Sequence, residues 1–103
     1  MESTQELLIS AREIFVQHGG AKGTLQDPVT GKICFQGALN WALTGSPTQW
    51  DWDELLRDAY RILNDVISEF DSRCIGLAGS FNDGHSFEDV LAVFDKAIVR
   101  EKA

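Results

Sequence analysis

The chain has 103 residues and 44% hydrophobic content, which is enough for one domain around a single modest core and argues against two domains. Its 16 acidic and 9 basic side chains give a formal net charge of −7, which argues against direct binding to nucleic-acid phosphates and suits solubility or a partner with a basic surface. The two cysteines, Cys34 and Cys74, form no C-x-x-C pair, which argues against a disulfide framework and a thiol-rich zinc motif.

The first predicted helix begins after Ser3. Ser3 and Glu6 have the spacing of a capping box, and Gly19-Gly20 would end the helix. Between Ser3 and Gly19, apolar residues recur on one face of the predicted helix. These are Leu7, Leu8, Ala11, Ile14 and Phe15. His18 falls in the last turn, where the helix dipole favours a cation, so we interpret it as a structural histidine.

A small β-hairpin is predicted near residues 23–35. The run Asp27-Pro28-Val29-Thr30-Gly31 has the residues of a tight reversal, and residues 23–26 and 32–35 would be its arms. Such short arms need support from the helices. A short helix over residues 36–43 would follow, closed by Gly45.

The segment from Asp51 to Phe70 is predicted to be the central helix. Its apolar residues recur at three- and four-residue steps and form one broad stripe that the rest of the chain must cover. They are Leu55, Leu56, Ala59, Tyr60, Ile62, Leu63, Val66, Ile67 and Phe70. Asp51 is the predicted N-cap, with Glu54 completing a capping box and Trp50 packing on Leu55.

The last part of the chain predicts a connector, a turn and a final helix. Residues 74–81 are small and apolar, and we expect an irregular loop or one helical turn. Asn82-Asp83-Gly84-His85 has the composition of a turn. Ser86 would cap the final helix, and Asp89 would complete the reciprocal cap. The fold prediction for residues 1–103 is therefore one mainly α-helical domain with three amphipathic helices, a short helix and the hairpin.

Two motifs resemble a family of small uncharacterised proteins found in bacteria and their phages. One is the C-x-x-G-A-L segment that begins at Cys34. The other is Asn82-Asp83 with Gly84, followed by the [ST]-x-x-[DE]-V entry to the last helix that begins at Ser86. The likeness extends from Gly23 over most of the chain. It implies no established activity and no catalytic residue.

Two classes of function remain open from the sequence. The first is an interaction protein without catalysis, such as a phage-related inhibitor of a host or defence protein, whose acidic face and tryptophans occupy a basic site on the partner. Its candidate interface residues are Trp50, Asp51, Trp52, Asp53 and Glu54. The second is a ligand-sequestering module or a small thiol enzyme. Its candidate residues are Cys34, Asn82, Asp83, His85 and Ser86.

The structural interpretation of these residues competes with both classes. Cys34 lies between Ile33 and Phe35, as a buried thiol would, and the Asn82–His85 turn would bond its own backbone rather than an anionic ligand. The acids near Asp51 are accounted for by helix capping. We expect no cofactor and no metal. The N-terminus lacks a cationic start before an apolar run, and we expect a soluble, cytoplasmic protein without membrane contact; self-association stays open.

Overall fold

Helices make up most of the computed structural model, which describes residues 3–51, 53–74 and 78–102. Within these ranges there are five α-helices and one 3₁₀ turn, and the predicted mainly α-helical fold is confirmed. The elements are α1 (Thr4–His18), α2 (Phe35–Thr44), α3 (Glu54–Phe70), the 3₁₀ turn (Ser72–Cys74), α4 (Ala78–Gly84) and α5 (Phe87–Lys102). No helix within the described ranges is both long enough and apolar enough to cross a bilayer.

The apolar stripe of α3 is buried, as its periodicity predicts. Its fully covered residues are Leu56, Ala59, Ile62, Leu63, Val66 and Ile67. Leu55 and Tyr60 are half-buried at the edge of the stripe. Phe70 differs from the prediction, since 43% of it is exposed while its ring meets Phe81 edge to face at 6.3 Å between centroids. The helix ends there, so Phe70 lies at the border of the core.

One core joins α3 to the other helices. α1 packs against α2, α3 and α5, and α3 also packs against α5. The residues that these elements bury include Leu7, Leu8, Ala11, Phe15, Ile33, Phe35, Ala38, Leu39, Phe81, Val90, Val93, Phe94 and Ala97. Phe15 stacks on Phe87 at 4.8 Å and tilts against Phe94 at 5.7 Å, which fixes α1 on α5.

Local capping chemistry accounts for the ends of the first two helices. Ser3 Oγ accepts a hydrogen bond from the Glu6 amide at 3.2 Å at the start of α1. α2 ends at Gly45, whose φ of 87° is the left-handed conformation that glycine adopts without strain. Both predicted helices are confirmed, and α2 begins at Phe35, one residue earlier than predicted.

The predicted β-hairpin is wrong, because no strand forms in the described residues around it. The reversal itself is present: Asp27 Oδ1 accepts from the Val29 and Thr30 amides at 2.8 and 3.2 Å. A single antiparallel bridge joins Gln26 to Ile33. Ile33 is also hydrogen-bonded to the end of α1 and to the residues that follow it. Its amide donates to the His18 carbonyl at 2.8 Å, and its carbonyl accepts from the Gly20 and Ala21 amides. The second arm is thus bonded to the end of α1, which prevents a longer ladder.

The predicted start of α3 is also wrong by two residues. Asp53, rather than Asp51, is the N-cap, and its carboxylate accepts from the Leu56 amide at 3.1 Å. With Asp53 as the cap, Trp50 no longer has the position of the predicted staple, and its ring stacks on Tyr60 with centroids 6.5 Å apart. Asp51 and Asp53 offer the same capping chemistry, and the packing of Trp50 on Tyr60 goes together with the later start.

The predicted turn at residues 82–85 is helical for most of its length. Asn82, Asp83 and Gly84 form the last turn of α4, and only His85 lies in the bend before α5. Ser86 caps α5 as predicted, accepting from the Asp89 amide at 3.1 Å. The reciprocal half of that cap is absent, because the Asp89 carboxylate contacts His85 instead. Part of the predicted connector, residues 75–77, lies outside the described residues.

Candidate functional site

Four segments that are distant in sequence line one cleft of about 360 Å³. They are the loop after α1, the start of α2, the residue that precedes the α3 entry, and the end of α4. Its lining residues are Gly23, Thr24, Leu25, Cys34, Gln36, Trp50, Asn82 and Asp83. This volume lies in the range typical of small-ligand pockets. The cleft therefore brings Trp50, Cys34, Asn82 and Asp83 together, combining members of both sets of candidate residues.

Asn82 forms a rigid wall of the cleft. It is 2% exposed, its Oδ1 accepts from the Phe35 amide at 3.3 Å, and its Nδ2 donates to the Ala21 carbonyl at 3.0 Å. A buried amide that pairs two backbone groups from different segments holds those segments together. Asn82 thus connects α4 to the loop after α1 and to the first amide of α2, and its main role is structural.

Asp83 and Lys22 complete the connection between that loop and α4. Asp83 Oδ1 accepts from the Gly23 amide at 2.8 Å and from Asn82 Nδ2 at 3.1 Å. Lys22 Nζ donates to the carbonyls of Asn82 and His85, the latter at 2.7 Å. A lysine at the carboxyl end of a helix is favoured by the helix dipole. The backbone of the cleft wall is therefore fixed by hydrogen bonds on both sides.

Cys34 contributes a protonated thiol to the cleft. It is 5% exposed, and its Sγ accepts from the Gly37 amide at 3.3 Å as the N-cap of α2. Burial raises the pKa of this thiol, and the nearby Asp83 carboxylate raises it further, against the opposing effect of the Gly37 and Gln36 amides. Within the described residues neither histidine hydrogen-bonds to Sγ. The arrangement favours a structural thiol over an activated nucleophile.

Trp50 provides an aromatic edge of the cleft beside an acidic segment. It is 39% exposed, and Tyr60 supports its ring. The following acids, Asp51, Asp53 and Glu54, are exposed at the entrance to α3 and do not line the cleft. Trp52, another predicted interface residue, lies outside the described residues. The cleft thus opens next to a surface that carries several carboxylates.

His85 and Ser86 do not line the cleft. His85 Nδ1 lies 3.1 Å from Asp89 Oδ2 and Nε2 lies 3.1 Å from Asp71 Oδ2, while its ring stacks on Phe81 at 4.0 Å. Asp89 and then Asp71 raise the pKa of His85. Arg73 and then His85 lower the pKa of Asp71. His85 thus connects the end of α3 to α5 through the carboxylates of Asp71 and Asp89.

His18 does not line the cleft. His18 stacks on Trp41, with ring centroids 4.8 Å apart, in agreement with a structural role. Among the residues that the structure describes, no three His, Cys, Asp or Glu side chains are grouped to hold a metal ion.

Comparison with known families gives one match. A family model described as a family of unknown function (DUF6197) matches residues 1–100. The chain belongs to the DUF6197 family. No curated protein and no solved structure matches it. The match confirms that the chain belongs to a family without known function, and it covers α1 as well as the segment from Gly23 onward.

Several cleft residues of this DUF6197 protein were missed by the sequence analysis. Gly23, Thr24, Leu25 and Gln36 carry no local signal for a site, and Lys22 is 60 residues from its acceptor on Asn82. Pairings at such separations leave no periodicity in a single sequence. The sequence analysis assigned residues 23–26 to an arm of the predicted hairpin instead.

Proposed function

We propose that the protein is a small acidic binding protein without catalytic activity, and that its cleft holds a basic side chain of a protein partner. The observation that carries this proposal is that Asp83 and Trp50 line the same cleft. Asp83 is the one charged residue among the described lining residues. A carboxylate beside an exposed aromatic ring is suited to a cation, since both groups attract positive charge.

The surroundings of the cleft favour a basic partner. Asp51, Asp53 and Glu54 follow Trp50 and are exposed, and the chain as a whole has a net charge of −7. Complementary charge steers association and raises its rate, particularly at low salt. A phage-related inhibitor that occupies a basic site on a host or defence protein would bind in this way. The complex should therefore weaken as the salt concentration rises.

The state of Cys34 supports binding over catalysis. A thiol nucleophile needs a lowered pKa or a neighbouring base, whereas burial raises the pKa of Cys34. Both ring nitrogens of His85 face carboxylates, those of Asp89 and Asp71, rather than the thiol. Among the described side chains, no histidine therefore pairs with the Cys34 thiol as a base.

One observation favours a second candidate, a module that sequesters a small ligand. The cleft joins Cys34 to Asn82 and Asp83, as that function requires, and its volume of about 360 Å³ accommodates a small molecule. The same carboxylate and ring would then select a cationic ligand. The two candidates share one site and differ in whether the cation belongs to a protein.

Selection of peptides from a random display library on the immobilised protein tests the proposed function. We expect enrichment of peptides with Lys or Arg, lost with Asp83→Asn. That change keeps an oxygen to accept from the Gly23 amide. Asp65→Asn is the matched control, because Asp65 is an exposed acid of α3 that does not line the cleft. The proposal would be contradicted if the Asp83→Asn and Asp65→Asn variants enriched peptides with Lys or Arg equally, or if the protein selected acidic peptides.

A further inference from the structure

We infer that the cleft recognises the planar guanidinium group of arginine in preference to the ammonium group of lysine. This inference rests on the proposed function, since it specifies which cation the cleft holds. It follows from three properties of the lining residues: a fixed carboxylate, a set of hydrogen-bond acceptors and an aromatic face.

The carboxylate of Asp83 is held in one orientation. The Gly23 amide and Asn82 Nδ2 both donate to Oδ1, and Asn82 is itself fixed by Phe35 and Ala21. Within the described residues, Oδ2 of Asp83 receives no hydrogen bond, and the carboxylate has no cationic partner. Lys22, which precedes Gly23 in the chain, donates to the carbonyls of Asn82 and His85 rather than to this carboxylate. The negative charge of Asp83 is thus oriented and not neutralised by a neighbouring side chain.

Two other side chains of the cleft, those of Thr24 and Gln36, carry oxygens that can accept hydrogen bonds. Thr24 gives its hydroxyl proton to the Gln26 carbonyl at 3.1 Å, which leaves its oxygen lone pairs. The side-chain amide of Gln36 makes no hydrogen bond within the described residues, so its oxygen can also accept from a ligand. A guanidinium group carries five N–H donors and no acceptor, and it can meet a carboxylate and further oxygens in one plane. An ammonium group carries its three donors on a single nitrogen and cannot reach the same set of oxygens in one plane.

Trp50 supplies a face for a planar cation. Its ring lines the cleft, is 39% exposed and is supported by Tyr60. Guanidinium stacks on aromatic rings and gives up its hydration more readily than ammonium does. A cation placed between Trp50 and Asp83 would therefore gain more from the cleft if it were planar.

Titration of the full chain with N-acetyl-arginine methylamide and with N-acetyl-lysine methylamide, followed by amide NMR, tests this inference. We expect the arginine probe to bind at least about fivefold more tightly than the lysine probe. Its shifts should be confined to the loop at Gly23–Leu25, the start of α2, the end of α4 and the Trp50 indole. Trp50→Ala and Asp83→Asn should each weaken the arginine probe at least about fivefold, whereas Trp50→Phe should retain most of the binding.

The controls separate this inference from the proposed function. Asp65→Asn removes the same charge outside the cleft and should leave both titrations unchanged. Equal affinity for the two probes, shifts elsewhere on the surface, or no response to either probe would overturn the guanidinium inference. Enrichment of lysine-rich peptides that depends on Asp83 would still support the proposed function in that case. Failure of both experiments would remove both proposals.

Discussion

His85 Nε2 lies 3.1 Å from Oδ2 of Asp71, and this contact joins the end of α3 to the residue that precedes the cap of α5. Because Asp89 meets the other ring nitrogen, only the imidazolium form has a proton for each carboxylate. A neutral ring has one N–H and must leave one carboxylate without its donor. The connection between the helices therefore depends on pH.

The first prediction is that His85→Gln destabilises the protein more at about pH 5.5 than at about pH 9. The pKa of His85 is raised above 6.5 in the folded state, so its contribution is complete below that value and is lost as the pH rises through the folded-state pKa. The pKa of Asp71 is lowered below 3.8, so its contribution is present above that value and is lost as the pH falls. Urea unfolding at the two pH values measures the difference.

Glu69→Gln is the control for this pH dependence. Glu69 pairs with Arg100 at 2.6 Å, and Arg100 lowers the pKa of this carboxyl, so both groups stay charged over the same range. The effect of Glu69→Gln should be the same at both pH values. An equal effect of His85→Gln at both values would contradict the proposed state of the imidazole.

The second prediction concerns two asparagines in different settings. Asn82→Leu would leave the Phe35 amide and the Ala21 carbonyl unpaired, at a cost of about 2–4 kcal/mol in the free energy of unfolding. Asn64→Leu is the matched substitution, because Asn64 Oδ1 is buried without a partner in the described residues. Asn64→Leu should raise the free energy of unfolding, by less than about 1 kcal/mol. Similar losses for both variants in urea unfolding would contradict the role of Asn82.

The third prediction concerns the close approach of α2 to the loop that precedes it. A Cβ at Gly37 would lie 2.5 Å from the Leu25 carbonyl oxygen and 3.2 Å from Ile33 Cβ. Because both neighbours are fixed, Gly37→Ala should cost at least about 1–3 kcal/mol, seen as a lower Tm. Gly84→Ala serves as the control, since no atom lies within 4 Å of a Cβ there. It should be neutral or stabilising, and equal Tm values for the two variants would be evidence against the tight contact.

The fourth prediction concerns the reactivity of Cys34. In a Cys74→Ser background, iodoacetamide should alkylate the folded protein at least about tenfold more slowly than the unfolded chain, since burial raises the pKa of the thiol. Asp83→Asn should accelerate the reaction slightly by removing a neighbouring negative charge. Equal rates in the folded and unfolded states would show an accessible thiolate and would favour the thiol-enzyme interpretation.

Local signals in the sequence were sufficient for the three long helices. The stripe of α3, the Ser3 cap of α1 and the Ser86 cap of α5 each depend on residues a few positions apart. The start of α3 could not be chosen locally, because Asp51 and Asp53 offer equivalent side chains. The later start goes together with the packing of Trp50 on Tyr60, a residue of the second turn.

The errors at the hairpin and at α4 have tertiary causes. Ile33 has the β-branched character of a strand residue, yet its amide and carbonyl are bonded to the end of α1. The sequence AGSFNDG of α4 is poor in helix formers. Its helix is supported by the buried Phe81 ring and by Lys22, which donates to the carbonyls of Asn82 and His85. The cleft results from these same long-range contacts, and composition alone could not reveal it.

The reversal at Asp27–Gly31 offers a practical point of attachment. Asp27 Oδ1 accepts from the Val29 and Thr30 amides within the segment, and Val29 at its tip is 90% exposed. None of Pro28, Val29 or Thr30 lines the cleft. A fluorophore or an affinity tag introduced at Val29 would report on the protein or immobilise it while the cleft stays unobstructed.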